Sequence, residues 1–266
     1  MACNKLHIAS LNSGSNGNCY YIGNDEEAVL VDTGISCRET EKRMLRLGLS
    51  MRKVKAIFIS HEHTDHVRGL ATISAKYNFH IYITQETLNG CRFNIREDLI
   101  RLLYSTQTIS VGSLEVTSFL KIHDASEPHS FMISYGGTKV GIFTDIGAAC
   151  DQLIFHFKQC HAAFLETNYD DDLLSKSAYP YFLKQRISGG KGHLSNKQAL
   201  DLFIHHKPSY MTHLLLSHLS KDNNNPELAH SLFSEHAGEV EIVVASRFVE
   251  TEVYTIFEQV SEHSSF

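Results

Sequence analysis

Val54-Lys-Ala-Ile-Phe-Ile-Ser60 leads directly into His61-Glu-His63-Thr-Asp65-His66, and a helical pattern begins at Val67-Arg-Gly69-Leu70. The first part is a short apolar run with β-branched residues, which predicts a buried strand. The middle part places four side chains that can bind metal within six positions. Imidazole nitrogens and carboxylate oxygens suit zinc and neighbouring divalent ions.

These four side chains predict a site for two metal ions. Alternate residues of a loop at a strand's end can point in one direction, so that His61 and His63 hold one ion while Asp65 and His66 face a second. The chain has 17 histidines, so a polar loop that is histidine-rich by chance is the alternative. The order H-x-H-x-D-H directly after a buried strand favours metal binding.

Size and composition allow one or two domains, and we expect a single domain over residues 1–266. The chain is 42% hydrophobic and can bury a large core, and no repeat or linker divides it. It has no apolar run of about 18 residues and no signal-peptide pattern, so no membrane partner is expected. Six scattered cysteines without a C-x-x-C pair predict reduced thiols and a cytoplasmic location. They are Cys3, Cys19, Cys37, Cys91, Cys150 and Cys160.

The net charge of −6 argues weakly against a nucleic-acid partner. The distribution of charge reduces that objection, because residues 38–55 carry seven Lys or Arg against two Glu, and residues 173–200 carry five and no acid. Carboxylates that bind metal would also inflate the acidic total. Solvated helix faces are the alternative interpretation of both basic runs.

The order of elements predicts an α+β fold. Strands dominate the first half, helices follow, and strands and helices alternate again towards the end. Two capping boxes, Ser36-Cys-Arg-Glu39 and Ser195-Asn-Lys-Gln198, mark helix starts, as does Asn225 before Pro226. This order predicts two facing sheets with helices outside, a four-layer αβ/βα sandwich.

Four more candidate site residues share one trait, a position immediately after a predicted strand. They are Asp32, His123, Asp145 and His218. Alone, such a residue is more often a cap or a turn residue. Strand ends gathered on one edge of a sandwich form a rigid support for a site, so together with the 61–66 loop the set predicts one centre.

In this order the motifs resemble the five motifs of the metallo-β-lactamase fold, across about residues 6–245. The resemblance implies the same sandwich and a set of metal ligands. His61, His63 and His123 would hold the first ion, and Asp65, His66 and His218 the second. Asp145 would bridge both ions, and Asp32 would orient the loop and its ligands. Zinc, manganese or iron would fit this set.

Three details favour phosphodiester substrates within this fold, which hosts several hydrolytic reactions. Ile122-His-Asp-Ala125 differs from the Gly-His-Thr-x-Gly-His motif of glyoxalase-like and many lactamase relatives. Leu165-Glu-Thr-Asn168 and Gly192-His-Leu-Ser195 are similar to the extra acid and histidine of the phosphodiesterase branch. The segment from His218 to Asn224, with residues 179–188, resembles the YycJ/WalJ group, which implies a DNA exonuclease acting 5′ to 3′.

The resemblance supports a mechanistic hypothesis in which a hydroxide held between the two ions attacks phosphorus. His193 would stabilise the developing charge or protonate the leaving oxygen, and Glu166 would orient His193. Lys191 and Arg186 are candidates for positioning phosphate. A strand-end cap for Glu166 and a solvated loop for the two cations are the alternatives.

Other functions are open from the sequence. Hydrolysis of a small or cyclic phosphodiester is the nearest one. An RNA-processing nuclease is a further alternative, although the chain lacks the long Gly/Pro-rich insertion of the tRNA-clamping arm in ribonuclease Z. A thioester or lactam hydrolase would leave His193 without a role. A metal-holding module without catalysis disagrees with the complete ligand set.

Overall fold

The computed structural model describes residues 4–258, so Cys3 and both ends of the predicted 1–266 domain lie outside the described residues. Two seven-stranded sheets form the centre of the molecule. The first sheet contains β1 (Lys5–Asn12), β2 (Cys19–Gly23), β3 (Ala28–Val31), β4 (Val54–Phe58), β5 (His80–Ile83), β6 (Ile100–Leu102) and β14 (Tyr254–Phe257). The second contains β7 (Thr108–Val111), β8 (Leu114–Leu120), β9 (His129–Tyr135), β10 (Thr138–Phe143), β11 (Ala162–Glu166), β12 (His213–Ser217) and β13 (Glu241–Val244).

Each sheet changes from antiparallel to parallel pairing along its width. The first has the order β14-β1-β2-β3-β4-β5-β6 and is parallel from β3 onwards. The second has the order β13-β12-β11-β10-β9-β8-β7 and is parallel from β10 to β13. The carboxyl ends of parallel strands meet at one edge of a sheet, which is where α/β proteins place their ligands.

Helices cover the outer faces of the sheets. They are α1 (Cys37–Arg46), α2 (Thr64–Val67), α3 (Leu70–Tyr77), α4 (Gln85–Gly90), α5 (Asp151–Phe157), α6 (Asp171–Lys176), α7 (Tyr181–Ser188), α8 (Asn196–His206) and α9 (Pro226–Ser234). Among the helices of residues 4–258, none is both long enough and apolar enough to cross a bilayer.

Three apolar clusters give the sandwich its four layers. Tyr20 and Phe58 of the first sheet meet Phe131 and Phe164 of the second in the central cluster. A second cluster packs α1 and α3 on the outside of the first sheet, and a third packs α5, α8 and α9 on the outside of the second. Burying such faces is the dominant favourable term in folding. The predicted four-layer αβ/βα sandwich is confirmed.

Most element boundaries agree with the sequence pattern, and the exceptions have local causes. The helical pattern that begins at Val67 is interrupted between α2 and α3, because the Gly69 amide donates a hydrogen bond of 2.8 Å to the Thr33 carbonyl and not to its own helix. The sequence pattern from Val249 to Phe257 favours a strand, but the strand begins only at Tyr254. There the chain forms a loop, whose Phe248 carbonyl accepts a hydrogen bond of 2.9 Å from Arg43.

Candidate metal centre and active site

Strand ends from both sheets converge on one site. Asp32 follows β3, the 61–66 loop follows β4, and Asp145 and His218 follow β10 and β12. Asp32, Asp145 and His218 have φ values of 60°, 56° and 57°. This left-handed conformation is sparsely populated for residues other than glycine and turns each side chain sharply out of its strand. Such strain is commonly found at functional sites.

The first predicted ligand set lies together. His61, His63 and His123 offer ring nitrogens that all lie within 4.8 Å of one another. His61 Nε2 is 3.1 Å from His63 Nδ1, and the rings of His61 and His123 have centroids 4.9 Å apart. Three imidazoles that converge in this way can bind one divalent ion.

The second predicted set, Asp65, His66 and His218, also meets the 4.8 Å limit. Asp65 Oδ2 is 3.6 Å from Nε2 of each histidine. The carboxylate of Asp145 lies between the two sets, with Oδ2 3.2 Å from His66 Nε2 and Oδ1 3.8 Å from His123 Nε2. This position is the one that a bridging ligand requires.

The orientation of the imidazoles fits metal binding. In four of the histidines, Nδ1 is hydrogen-bonded to an oxygen atom, so Nε2 is the nitrogen that can bind a metal ion at the centre. Hydrogen bonds of this kind fix the tautomer of the histidines in metal sites. The Nδ1 contacts are Ser60 Oγ to His61 at 2.9 Å, Asp32 to His66 at 2.7 Å, Gly192 O to His123 at 3.0 Å and Glu166 to His218 at 2.9 Å. His123 Nε2, His218 Nε2 and Asp145 Oδ2 are buried and have no hydrogen-bond partner among residues 4–258. Buried polar atoms are normally satisfied, so these three atoms fit a site for cations.

Asp32 holds the 61–66 loop and the residue before it through hydrogen bonds. Its Oδ1 accepts a hydrogen bond of 2.8 Å from the Ser60 amide, and its Oδ2 lies 2.8 Å from Ser60 Oγ and 2.7 Å from His66 Nδ1. Asp32 is fully buried. The carboxylate therefore fixes both the start of the loop and the direction of one ligand.

Glu166 and His193 form a pair beside the second ligand set. Glu166 Oε1 accepts a hydrogen bond of 2.8 Å from His193 Nδ1 and one of 2.9 Å from His218 Nδ1. Glu166 Oε2 accepts hydrogen bonds from the amides of Ile146 and Leu194. The structure thus places His193 within the centre, at the end of a short chain of hydrogen bonds.

Electrostatics divide the histidines into two groups. Burial lowers the pKa of His61 well below its usual value and that of His123 to about 4. Burial also disfavours the charged form of His66, but nearby carboxylates, first Asp145, outweigh it and raise its pKa to about 10. The pKa of His218 is raised well above its usual value, because the opposing effect of burial is outweighed, by Asp145 in particular.

Burial also opposes ionisation of Glu166. The contacts of Glu166, first those with His193, outweigh the effect of burial and lower the Glu166 pKa to about 2.

A cavity of about 300 Å³ opens the centre to solvent. Its lining includes His193, Asp145 and Arg186, and Arg186 Nε is 2.7 Å from Asp124 Oδ2. Lys191, the other candidate for positioning phosphate, lies exposed close to Gly147. Of the two cations, Arg186 is the one that the structure brings to the cavity.

Sequence reasoning missed several residues that position the centre. Lys121 is buried and donates a hydrogen bond of 2.7 Å to the Thr144 carbonyl, directly before Asp145. Asn18 Nδ2 is 3.2 Å from Asp65 Oδ2, and Asn168 Nδ2 donates to the His218 carbonyl at 2.8 Å. Lys121 could have been predicted, because a lysine inside an apolar strand pattern is unusual. The two asparagines resembled ordinary turn residues.

Comparison with known proteins connects this centre to one family. The sequence profile of the Metallo-beta-lactamase superfamily matches residues 13–183. The exodeoxyribonuclease YycJ of Bacillus anthracis is 34% identical over 234 residues, which cover 86% of this chain and 88% of that protein. The exodeoxyribonuclease WalJ of Streptococcus pneumoniae is 28% identical over 243 residues, covering 90% of each. The solved structure of the metallo-beta-lactamase fold protein YhfI from Bacillus subtilis has the same fold, with a TM-score of 0.73 at 14% identity over 96% of this chain and 100% of that one.

Proposed function

This chain belongs to the metallo-β-lactamase superfamily, and on that premise we propose that it is a two-metal phosphodiesterase that degrades DNA from its ends. The observation that carries the proposal is the pair formed by His193 and Glu166, which lies beside the two ligand sets without belonging to either triad. Two relatives named exodeoxyribonucleases align with most of the chain and support the choice of substrate.

The ligand sets support the proposed metal sites. His61, His63 and His123 would hold one divalent ion, Asp65, His66 and His218 would hold the other, and Asp145 would contact both. Zinc or manganese suits this mixture of imidazole and carboxylate, and iron is also compatible. When bound, such ions polarise a water molecule and neutralise charge on the phosphate oxygens.

The chain's own residues complete the chemistry. His193 holds its proton on Nδ1 towards Glu166, so its Nε2 is the atom that faces a substrate oxygen. With a second proton on Nε2, His193 stabilises the charge that develops on the phosphate, or transfers that Nε2 proton to the leaving oxygen. Glu166 acts as a positioning residue because it orients His193 and His218 together. Arg186 at the cavity supplies a cation for the neighbouring phosphate.

We also propose a single domain and a cytoplasmic location. The central cluster joins strands from both halves of the sequence, which supports one folding unit. The five cysteines in residues 4–258 are free thiols. Unpaired thiols are typical of a reducing compartment.

One experiment tests the function directly. Purified protein with added Mn²⁺ or Zn²⁺ is incubated with 5′- and 3′-labelled single-stranded and duplex DNA, with the matching RNA, and separately with bis(p-nitrophenyl) phosphate and nitrocefin. We expect DNA to shorten progressively from one end, which also reveals the polarity, and nitrocefin to remain intact. Cleavage of nitrocefin, or of the small phosphodiester without any nucleic acid, would contradict the proposal.

A further inference from the structure

Helix α7 (Tyr181–Ser188) carries two large aromatic side chains that are almost fully exposed. Tyr181 is 76% exposed and Phe182 is 73% exposed. None of the eight residues of the helix is buried. Tertiary packing of an apolar face normally supplies most of the stability of a helix. The exposed rings of α7 therefore need an explanation other than support of the fold.

The same helix forms one wall of the catalytic cavity. Leu183, Arg186 and Ile187 line the cavity together with the metal ligands. Residues four apart share one side of a helix, so Phe182 lies next to Arg186, which lines the cavity. Arg186 in turn contacts Asp124, the neighbour of His123 in the first ligand set. The exposed rings are thus continuous with the reaction centre.

The segment of sequence that carries the rings is basic. Residues 173–200 contain five Lys or Arg and no Asp or Glu. Two of these cations, Lys184 and Arg186, lie on α7 itself. Aromatic rings interleaved with cations are the combination that binds single-stranded nucleic acid, because bases stack on the rings and phosphates pair with the cations.

We propose that Tyr181 and Phe182 form a stacking platform for unpaired bases of the strand that is being degraded, with Lys184 and Arg186 beside its phosphates. This inference rests on the proposed DNA-degrading function and adds a feature of the substrate, an unpaired end. The platform holds the strand so that its terminal phosphodiester reaches the cavity. It acts on the affinity for the strand and not on the bond-breaking step.

The platform is tested by removing the rings from the protein and, separately, the bases from the substrate. The wild-type protein, Tyr181→Ala, Phe182→Ala and the double variant are assayed on a single-stranded oligonucleotide and on the same oligonucleotide with abasic residues near the degraded end. We expect each substitution to raise KM for the intact strand roughly 5- to 100-fold, the value for loss of one stacked base, with kcat changed much less. The wild-type protein should prefer the intact strand over the abasic one, and the double variant should lose this preference.

Controls separate the alternatives. Phe155 on α5 is also 63% exposed and lines a depression that shares no residue with the catalytic cavity, so Phe155→Ala should leave KM for both oligonucleotides unchanged. Phe182→Trp should keep the wild-type KM, because tryptophan also offers a ring for stacking.

Two outcomes would overturn the platform but leave the proposed function intact: an unchanged KM in the double variant, or a loss of self-association in place of a loss of affinity for the strand. If the wild-type protein degrades duplex DNA but neither oligonucleotide, the platform fails and the proposed function stands; if it degrades no DNA at all, the proposed function fails as well.

Discussion

Glu166 Oε1 and His193 Nδ1 are joined by a hydrogen bond of 2.8 Å at the inner end of the cavity. The same oxygen is 2.9 Å from His218 Nδ1. One carboxylate therefore orients a proposed metal ligand and a proposed catalytic histidine, and a change at Glu166 should affect metal binding and turnover together.

Glu166→Gln tests this coupling. Glutamine keeps the shape of the side chain but removes its negative charge, and its single acceptor oxygen cannot replace both carboxylate oxygens. We expect a loss of roughly 10- to 100-fold in activity or metal affinity, as for other residues that support metal ligands. Titration with Mn²⁺ or Zn²⁺ separates the two effects. If both metal affinity and kcat match the wild type, Glu166 is only a strand-end cap.

His193→Ala should retain both metals and lose most activity on phosphodiesters. The expected fall in kcat is ~10²–10⁴-fold, as for loss of one positioned acid or base. Metal content and kcat are measured on the same sample. His193 also lies within 4.8 Å of Asp145, Glu166 and His218, so loss of a metal would identify it as a ligand. At saturating metal, the double variant with Glu166→Gln should have a kcat little lower than that of His193→Ala alone, because Glu166 acts on the chemical step through His193.

Much of the fold was predictable because its signals are local. The strand Val54–Phe58, the capping box at Ser195 and the proline start at Pro226 are all present as predicted. The family resemblance is confirmed as well. The candidate ligands were predictable because each follows a strand, and parallel strand ends meet at one edge.

The remaining features depend on contacts that join distant parts of the chain. Lys121, Asn18 and Asn168 contact the centre only through the fold. No local pattern distinguishes such an asparagine from a turn residue. The segment from Val249 to Val253 alternates like a strand, but the Phe248 carbonyl before it is bound to Arg43, some 200 residues earlier. Tertiary contacts outweighed local propensity there.

Metal binding should release protons at the second ligand set. The raised pKa values of His66, about 10, and of His218 mean that both rings are charged at neutral pH without metal. A metal ligand must be neutral, so binding displaces these protons, and affinity should rise with pH between 6 and 9 by about tenfold per unit for each proton released. His61 and His123, whose pKa values are lowered, add no such dependence. Calorimetry in two buffers of different ionisation enthalpy counts the protons. A count of zero would contradict the assignment.

Asp145→Asn should reduce bound metal without disrupting the backbone. Asparagine tolerates the left-handed φ of 56° at this position, but it removes the negative charge between the two ligand sets. Asp145→Ala should bind as little metal and should in addition lose stability by roughly 1–3 kcal/mol, because alanine is strained at this φ. Metal analysis and thermal unfolding distinguish the two variants. Two fully occupied sites in Asp145→Asn would rule out a bridging role.

Gly34→Ala should displace the 61–66 loop. An added Cβ at Gly34 would overlap the carbonyl oxygen of Asp65, whose backbone is held there by a hydrogen bond of 2.7 Å from the Asn18 amide. Because both neighbours are backbone, neither can move without moving the ligand Asp65. We expect a cost of at least the roughly 1–3 kcal/mol typical of overpacking, measured by chemical denaturation, together with weaker metal binding. Gly190→Ala, whose Cβ would meet no atom within 4 Å, is the matched control and should change the unfolding midpoint little. If Gly34→Ala unfolds at the wild-type midpoint with both metals bound, this close approach is not what positions Asp65.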